Sequence, residues 1–183
     1  GITKITDLDI KYAKALKKSI KLLGTSRKVD GNVYAMVCPM MIGEDHPLYS
    51  VRDVFNAIFV NGNMVDDVMF YGRGAGKLPT ASAVTADVVE AARNLGNSLP
   101  VIWRKEKLEL ANTGDFEHQF FVRMKLETSM EEIKTSFGEV AFISLEEVKG
   151  ETAFITPLMK EKDFQEKIGA FASVISVIRV DAK

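Results

Sequence analysis

The stretch FYGRGAGKLPTASAVTADVVEAAR, from Phe70 to Arg93, carries the clearest structural signal in the chain. An apolar run typical of a strand ends in glycines at positions 72, 74 and 76, and an alanine- and valine-rich segment follows Pro79. Alternate glycines remove every second Cβ and permit positive φ angles, so they mark a tight turn or a close approach by another group. The pattern predicts a strand, a glycine turn and a helix that ends between Asn94 and Gly96.

Neither of two common nucleotide-binding patterns fits these glycines. The P-loop pattern aligned on Gly76-Lys77 requires glycine at Tyr71 and serine or threonine at Leu78. The dinucleotide pattern GxGxxG requires a further glycine at Lys77 or at Pro79, depending on the register. The residues by themselves leave two interpretations open, a tight strand-to-helix connection and a contact with a phosphate or a ring.

Composition argues for a globular chain and against a nucleic-acid partner. Of its 183 residues, 46% are apolar and 27% are charged, and the net charge is −1, so no basic surface points to nucleic acid. No apolar run is long enough to span a membrane, and no signal-like N-terminus is present. The single cysteine, Cys38, has apolar flanks and suits a reducing, cytoplasmic setting.

No catalytic residue and no metal ligand set can be assigned from these residues. His46 and His118 fall far apart, and no cluster of cysteines or histidines accompanies either. The acidic pairs Glu44-Asp45 and Asp66-Asp67 fall in predicted turns or strand ends, where solvation explains them. We therefore expect neither a complete active site nor a metal centre.

The first part of the chain predicts a capped helix and two hairpins. Thr6 and Asp9 form a capping-box pattern before a helix whose apolar face runs from Leu8 to Ile20. Turn signals separate pairs of strand-like segments. The first hairpin joins Ile20–Val29 to Asn32–Ile42 through Asp30-Gly31, and the second joins Val51–Val60 to Met64–Tyr71 through Asn61-Gly62.

The last part of the chain alternates strand and helix patterns in the order β-α-β-β-α-β, which is the ferredoxin-like unit. We predict an α+β fold with a mixed or antiparallel sheet and covering helices in residues 1–96, a linker over 97–115, and this unit over 116–183. Trp103, within the linker, is expected to cover apolar surface. The predicted elements of the unit are strands His118–Leu126, Val140–Val148, Thr152–Met159 and Ser173–Val180, a helix over Thr128–Phe137, and a helix through Phe164, Ile168 and Phe171.

These residues resemble a known family. The segments GITKITDLDIKYAKALKKSIKLLG, DHPL, VFNAIFV and above all FYGRGAGKLPTASAV are similar to the catalytic region of bacterial homoserine dehydrogenases, from about Gly1 to Arg93. The βαββαβ pattern also fits, since the resemblance implies a C-terminal ACT domain of that topology. It further implies a part of the catalytic and dimerisation domain over residues 1–96.

The resemblance implies an oxidoreductase that interconverts L-homoserine and L-aspartate 4-semialdehyde with NAD or NADP, in threonine and methionine biosynthesis. It places the dinucleotide-binding domain, the substrate-binding acids and the catalytic lysine ahead of this segment, so we expect this chain alone to be inactive and to hold no cofactor. In the family, the turn matching Gly74, Ala75 and Gly76 closes over the cofactor, and the helix matching Thr80–Arg93 packs on the dinucleotide-binding domain. A homodimer or higher homo-oligomer is also expected.

The ACT resemblance departs from the family pattern at one place. An Asp-x-Pro-Gly type turn normally follows the first strand and helps to hold a regulatory amino acid, whereas this chain has Glu127-Thr128-Ser129-Met130. The sequence thus keeps a second hypothesis open, in which residues 116–183 are a non-enzymatic amino-acid-binding or assembly module.

Overall fold

The computed structural model describes residues 1–97, 101–103 and 105–181. The chain divides into two compact units, one formed by Gly1–Tyr49 together with Glu109–Lys183 and the other by Ser50–Leu108. This division differs from the predicted boundaries, which placed residues 1–96 in one domain. The physical reason is that the first hairpin joins the sheet of the C-terminal strands.

The described chain is an α+β protein in which helices separate groups of strands. The helices are α1 (Asp7–Ala15), α2 (Lys77–Arg93), α3 (Met130–Phe137) and α4 (Glu161–Ile168). The strands are β1 (Lys18–Val29), β2 (Asn32–Gly43), β3 (Phe55–Gly62), β4 (Asp66–Arg73), β5 (Glu117–Lys125), β6 (Ala141–Ile143), β7 (Glu151–Ile155), β8 (Met159–Lys160) and β9 (Val174–Val180).

The larger unit is built on one sheet with the order β1-β2-β9-β5-β7-β6, and β8 pairs with β5 beside it. Strands β9, β5, β7 and β6 pair antiparallel, in agreement with the predicted βαββαβ arrangement. The two-residue turn Asp30-Gly31 has positive φ angles at both positions and closes the β1–β2 hairpin as predicted. Strand β2 then runs parallel to β9, with Met40 opposite Arg179 and Met41 opposite Val180.

Alternate residues of the central strands supply two separate cores. On one face, Phe120 of β5 stacks on Phe164 of α4 at 3.7 Å between ring centroids, and Ile133 and Phe137 of α3 are buried in the same cluster. On the other face, Phe121 packs against Tyr12 of α1. Both faces of the sheet are therefore covered, one by α3 and α4 and the other by α1.

A buried ionic network joins α1 to the sheet. Arg123 of β5 donates to the Asp9 carboxylate at 2.8 Å and to Glu151 of β7 at 2.7 Å, and its Nη1 also donates to the Thr6 hydroxyl at 3.1 Å. Thr6 and Asp9 form the predicted capping box. Burial raises the pKa of the Asp9 carboxyl, but hydrogen bonds from Arg123, Thr6 and Ser176 more than offset it, so that the pKa lies below its usual value.

A second cluster of charged and polar groups lies where β2 meets β9. Glu161 accepts two hydrogen bonds from Arg179, at 2.6 and 2.8 Å. His118 of β5 is 6% exposed, and its Nε2 is buried without a hydrogen-bond partner in the described part of the chain. Burial, and then the nearby Arg179 guanidinium, lowers the pKa of His118. These surroundings favour the neutral form of the imidazole.

The smaller unit contains the β3–β4 hairpin and α2. The hairpin register pairs Asn61 with Asp67 and Gly62 with Asp66, so the predicted Asn61-Gly62 turn is wrong. Both residues belong to β3, and the chain reverses over residues 63–65, where Asp66 supplies a positive φ at the start of β4. Cross-strand pairing, stabilised by a 2.6 Å hydrogen bond between the Asn61 and Asp67 side chains, displaced the turn by two residues.

Several other predicted limits also differ. Helix α1 ends at Ala15 because Lys17 adopts a positive φ, which places Ile20 in β1 instead of the helix. The predicted strand over Val140–Val148 is confined to β6, and the one over Thr152–Met159 is divided into β7 and β8 on either side of Pro157, which has no N–H to donate. Trp103 is 83% exposed and does not cover apolar surface as expected.

Candidate functional site

The glycine turn lies in the smaller unit, between the end of β4 and the start of α2. Strand β4 carries Gly72 and ends at Arg73, residues 74–76 form the connection, and Lys77 begins α2. The Gly74 N–H donates to the Val54 carbonyl at 3.2 Å, which extends the hairpin pairing by one bond. The predicted cofactor-binding residues Gly74, Ala75 and Gly76 therefore form one continuous strand-to-helix turn.

Gly76 is required by its backbone conformation. It precedes α2 as the N-cap with φ +118° and ψ 153°, a region that side-chain-bearing residues rarely adopt. An added Cβ would lie 3.5 Å from the Pro79 Cδ, which is ordinary contact, so the constraint is conformational and not steric. With glycine at the cap, no side chain among the described residues caps the first N–H groups of α2.

Gly74 differs from Gly76, because a neighbouring side chain fills the position that its Cβ would take. A Cβ at Gly74 would overlap the Nδ2 of Asn56 and lie 2.7 Å from its Cγ. The backbone of Gly74 does not have a positive φ. The glycine thus leaves room for the Asn56 carboxamide against the turn, a relationship that no sequence pattern indicated.

Gly72 is not explained by packing within the described residues. A Cβ at this position would meet no heavy atom within 4 Å, and its φ is not in the positive range. It pairs with Asn56 across the hairpin. The space above Gly72 is open, which is the condition under which another molecule or domain could approach the backbone.

The surroundings of the turn combine aromatic and basic side chains. Phe55 and Tyr71 stack at 4.8 Å with their ring planes 7° apart, and the Arg73 guanidinium lies 5.2 Å from the centroid of the Phe55 ring. Arg73 precedes the turn and Lys77 follows it, so each side of the turn carries a positive charge. The turn therefore has two residues without side chains and a basic side chain on each side.

Helix α2 has the small-residue face predicted from its sequence but has none of its side chains buried. Val84 is 57% exposed and Val88 is 62% exposed. The helix runs from Lys77 to Arg93, and Gly96 follows with φ +84°, in agreement with the predicted end. Its apolar side chains face solvent.

The described residues hold no group of three or more His, Cys, Asp or Glu side chains arranged to bind a metal ion. None of the helices in the described ranges is long and apolar enough to cross a membrane. Burial raises the pKa of the Cys38 thiol, so it is not activated as a nucleophile.

The turn after β5, where the family pattern has a proline and a glycine, is stabilised by hydrogen bonds between side chains and backbone of this chain. The hydroxyls of Thr128 and Ser173 are 2.6 Å apart. Ser129 caps α3 and exchanges hydrogen bonds with Glu132 in a capping box. The first N–H groups of α3 are thus partly satisfied by the chain itself, which leaves fewer donors for a ligand at this turn.

Comparison with known proteins gives one consistent answer. The family model for homoserine dehydrogenase matches residues 1–89. The homoserine dehydrogenase of Mycobacterium bovis is 38% identical over 192 residues, which cover 100% of this chain and 42% of that protein. The chain belongs to the homoserine dehydrogenase family. The Bacillus subtilis homoserine dehydrogenase is 32% identical over 91% of this chain and 42% of its own length.

Solved structures of the family have the same fold. A homoserine dehydrogenase from Thiobacillus denitrificans superimposes with a TM-score of 0.81 at 25% identity and covers 99% of this chain and 46% of that one. The Staphylococcus aureus homoserine dehydrogenase gives a TM-score of 0.70 at 29% identity, with 100% and 46% covered. The chain therefore spans less than half of the length of the family members it matches.

Proposed function

We propose that this chain is part of an NAD(P)-dependent homoserine dehydrogenase that interconverts L-homoserine and L-aspartate 4-semialdehyde in threonine and methionine biosynthesis. Within that enzyme, the turn Gly74-Ala75-Gly76 contacts the dinucleotide cofactor. The observation that carries the proposal is the open space at Gly72, beside a turn whose other glycines have local reasons to be glycine. Family membership supplies the reaction.

The residues of the turn fit a bound dinucleotide. The cofactor, when bound, supplies the hydride chemistry. The chain supplies backbone that an extended ligand can approach closely, and Ala75 adds only a methyl group. Arg73 and Lys77 place positive charge on either side, which favours an anionic ligand over a cationic one.

Helix α2 has a role in the same proposal. Its small residues and exposed valines form a surface suited to close packing against the dinucleotide-binding domain that the family resemblance implies. Docking there would bring the cofactor to the turn at the N-terminus of α2. The nicotinamide cofactor is NAD or NADP.

We further propose that the 183-residue chain is inactive by itself. The chain spans less than half of the relatives it matches, and the family resemblance places the catalytic lysine and the dinucleotide-binding domain outside it, so hydride transfer would depend on residues contributed by the rest of the enzyme. The test compares this chain with the full-length protein under the same conditions, following reduced-cofactor absorbance with homoserine and each cofactor. Turnover by the full-length protein alone is the expected result. Turnover by the isolated chain would overturn the proposal of inactivity, and turnover by neither would overturn the proposed function.

The βαββαβ part of the larger unit is proposed to be an ACT-like module that supports a homodimer or higher homo-oligomer of a cytoplasmic enzyme. Its order and antiparallel pairing fit that topology. The alternative, an amino-acid-binding regulatory module, is disfavoured by the hydrogen-bonded turn at Thr128 and Ser129. Calorimetric titration of the chain with threonine separates the two, because heat of binding is expected only from the regulatory module.

A further inference from the structure

We propose that Asn56 is a further cofactor-contacting residue of the glycine turn. The inference rests on the proposed function, because it concerns the same cofactor. It is drawn from the relationship between Asn56 and Gly74, which places a carboxamide directly against the turn.

The placement of Asn56 follows from the hairpin register. Asn56 lies directly opposite Gly72 in the hairpin. Paired residues of neighbouring strands project on the same face, so the Asn56 side chain lies on the face where Gly72 has none. Its carboxamide extends along this face until Nδ2 reaches the Cβ position of Gly74. The absence of a side chain at Gly74 is what allows the carboxamide to lie there.

The local structure does not use the hydrogen-bonding capacity of this side chain. Asn56 is exposed, and no partner for its carboxamide occurs within residues 1–97, 101–103 and 105–181. By contrast, Asn61 on the same strand is bonded to Asp67 across the hairpin. A donor and an acceptor are therefore free at the edge of the turn.

The chemistry of the group indicates which part of a dinucleotide it would meet. A carboxamide is neutral and offers both a donor and an acceptor, so it matches a neutral partner with the same pair of groups. The carboxamide of the nicotinamide ring has that pair. The phosphates, which only accept, are better served by the charged Arg73 and Lys77.

Gly74→Ala is a precise probe of this arrangement. Because the backbone of Gly74 does not have a positive φ, alanine is compatible with the turn, yet its Cβ would displace the Asn56 carboxamide. The substitution should therefore reproduce the loss of Asn56 without removing it. The two changes should add less than fully, since both remove the Asn56 contact, whereas Gly74→Ala also places a Cβ on the turn itself.

The experiment is a double-mutant cycle in the full-length protein, with cofactor affinity measured by titration of reduced-nicotinamide fluorescence. Asn56→Ala and Gly74→Ala are each expected to weaken cofactor binding about five- to tenfold, and the double variant by less than the product of the two effects. Asn63→Ala, an exposed asparagine in the β3–β4 turn, is the matched control and should leave affinity unchanged. Melting temperatures should match the wild type for both asparagine variants, which separates a contact with the cofactor from a structural role.

Two results would overturn the inference. One is wild-type affinity in Asn56→Ala while Gly76→Val weakens binding, which would retain the proposed function and remove Asn56 from it. The other is a melting temperature of Asn56→Ala that falls together with its cofactor affinity, which would give the carboxamide a structural role in place of a contact with the cofactor. Absence of cofactor binding by the wild-type protein would instead count against the proposed function.

Discussion

Arg123 Nη1 lies 2.8 Å from Asp9 Oδ1, and this contact joins the first helix of the chain to the central strand of its largest sheet. Arg123 is 3% exposed and Asp9 is fully buried. The two residues are separated by 114 positions in the sequence. The N-terminal segment and the βαββαβ strands are thereby parts of one folded unit.

Removal of the arginine should strongly destabilise this unit. Arg123→Met would leave the Asp9 carboxylate buried without its cation, at a cost of about 3–5 kcal/mol in the free energy of unfolding. Urea unfolding followed by circular dichroism measures the change. Lys162→Ala, which removes the exposed ion pair to Asp115, is the control and should have little effect. Equal stability of the Arg123→Met variant and the wild type would contradict this account.

Because His118 is buried, we expect the free energy of unfolding to decline in mildly acidic solution. Because burial and Arg179 lower the pKa of His118 in the folded state, the unfolded chain binds a proton first as the pH falls. The loss in free energy of unfolding caused by this protonation is absent above the ordinary histidine pKa of about 6.5. It grows below that pH until the folded-state pKa is reached.

The measurement is the free energy of unfolding between mildly alkaline and mildly acidic pH for the wild type and His118→Leu. The variant should have a smaller loss of stability across this range, because it has no imidazole to protonate between the rings of Phe116 and Phe120. His118→Gln, which cannot titrate either, should behave like His118→Leu in slope even if its absolute stability differs. Identical slopes for all three proteins would refute the role of His118.

The βαββαβ segment should self-associate when it is produced in isolation. Residues 109–183 without α1 would expose the sheet face that carries Phe121, Ile178 and Val180, and the edge of β9 that pairs with β2. We expect this excised segment to bind a hydrophobic dye and to self-associate, as checked by fluorescence and light scattering beside the 183-residue chain. A monomeric segment with the melting temperature of the longer chain would show that α1 and β2 are dispensable.

Substitution at Gly76 should affect both folding and cofactor binding. Gly76→Val forces a branched side chain into φ +118°, at a cost of about 1–3 kcal/mol in stability, and adds atoms to the surface proposed to contact the cofactor. In the full-length protein, cofactor affinity should fall at least tenfold, as measured by equilibrium titration. Gly96→Val is the matched control, because Gly96 also has a positive φ but follows the far end of α2. It should lower stability without changing affinity.

Local features were the most predictable. The Thr6–Asp9 capping box, the Asp30-Gly31 hairpin turn and the strand, glycine turn and helix between Phe70 and Arg93 all follow from interactions within a few residues. The misplaced Asn61-Gly62 turn has a cross-strand cause, since the register of β3 and β4 depends on pairs along their whole length. Likewise, the place of Asn56 against Gly74 depends on register and could not be read from spacing alone.

The sequence by itself determined most of the elements and their order, because caps, turns and periodic apolar positions act over short distances. Its segments also carry the similarity to the family. The tertiary structure alone decided that β2 would join β9, that α1 would cover the second face of the sheet and that Asp9 would meet Arg123. Such contacts between distant segments form only when their burial and pairing offset the entropy of closing long loops. That balance depends on the whole packed unit, so no local pattern reports it.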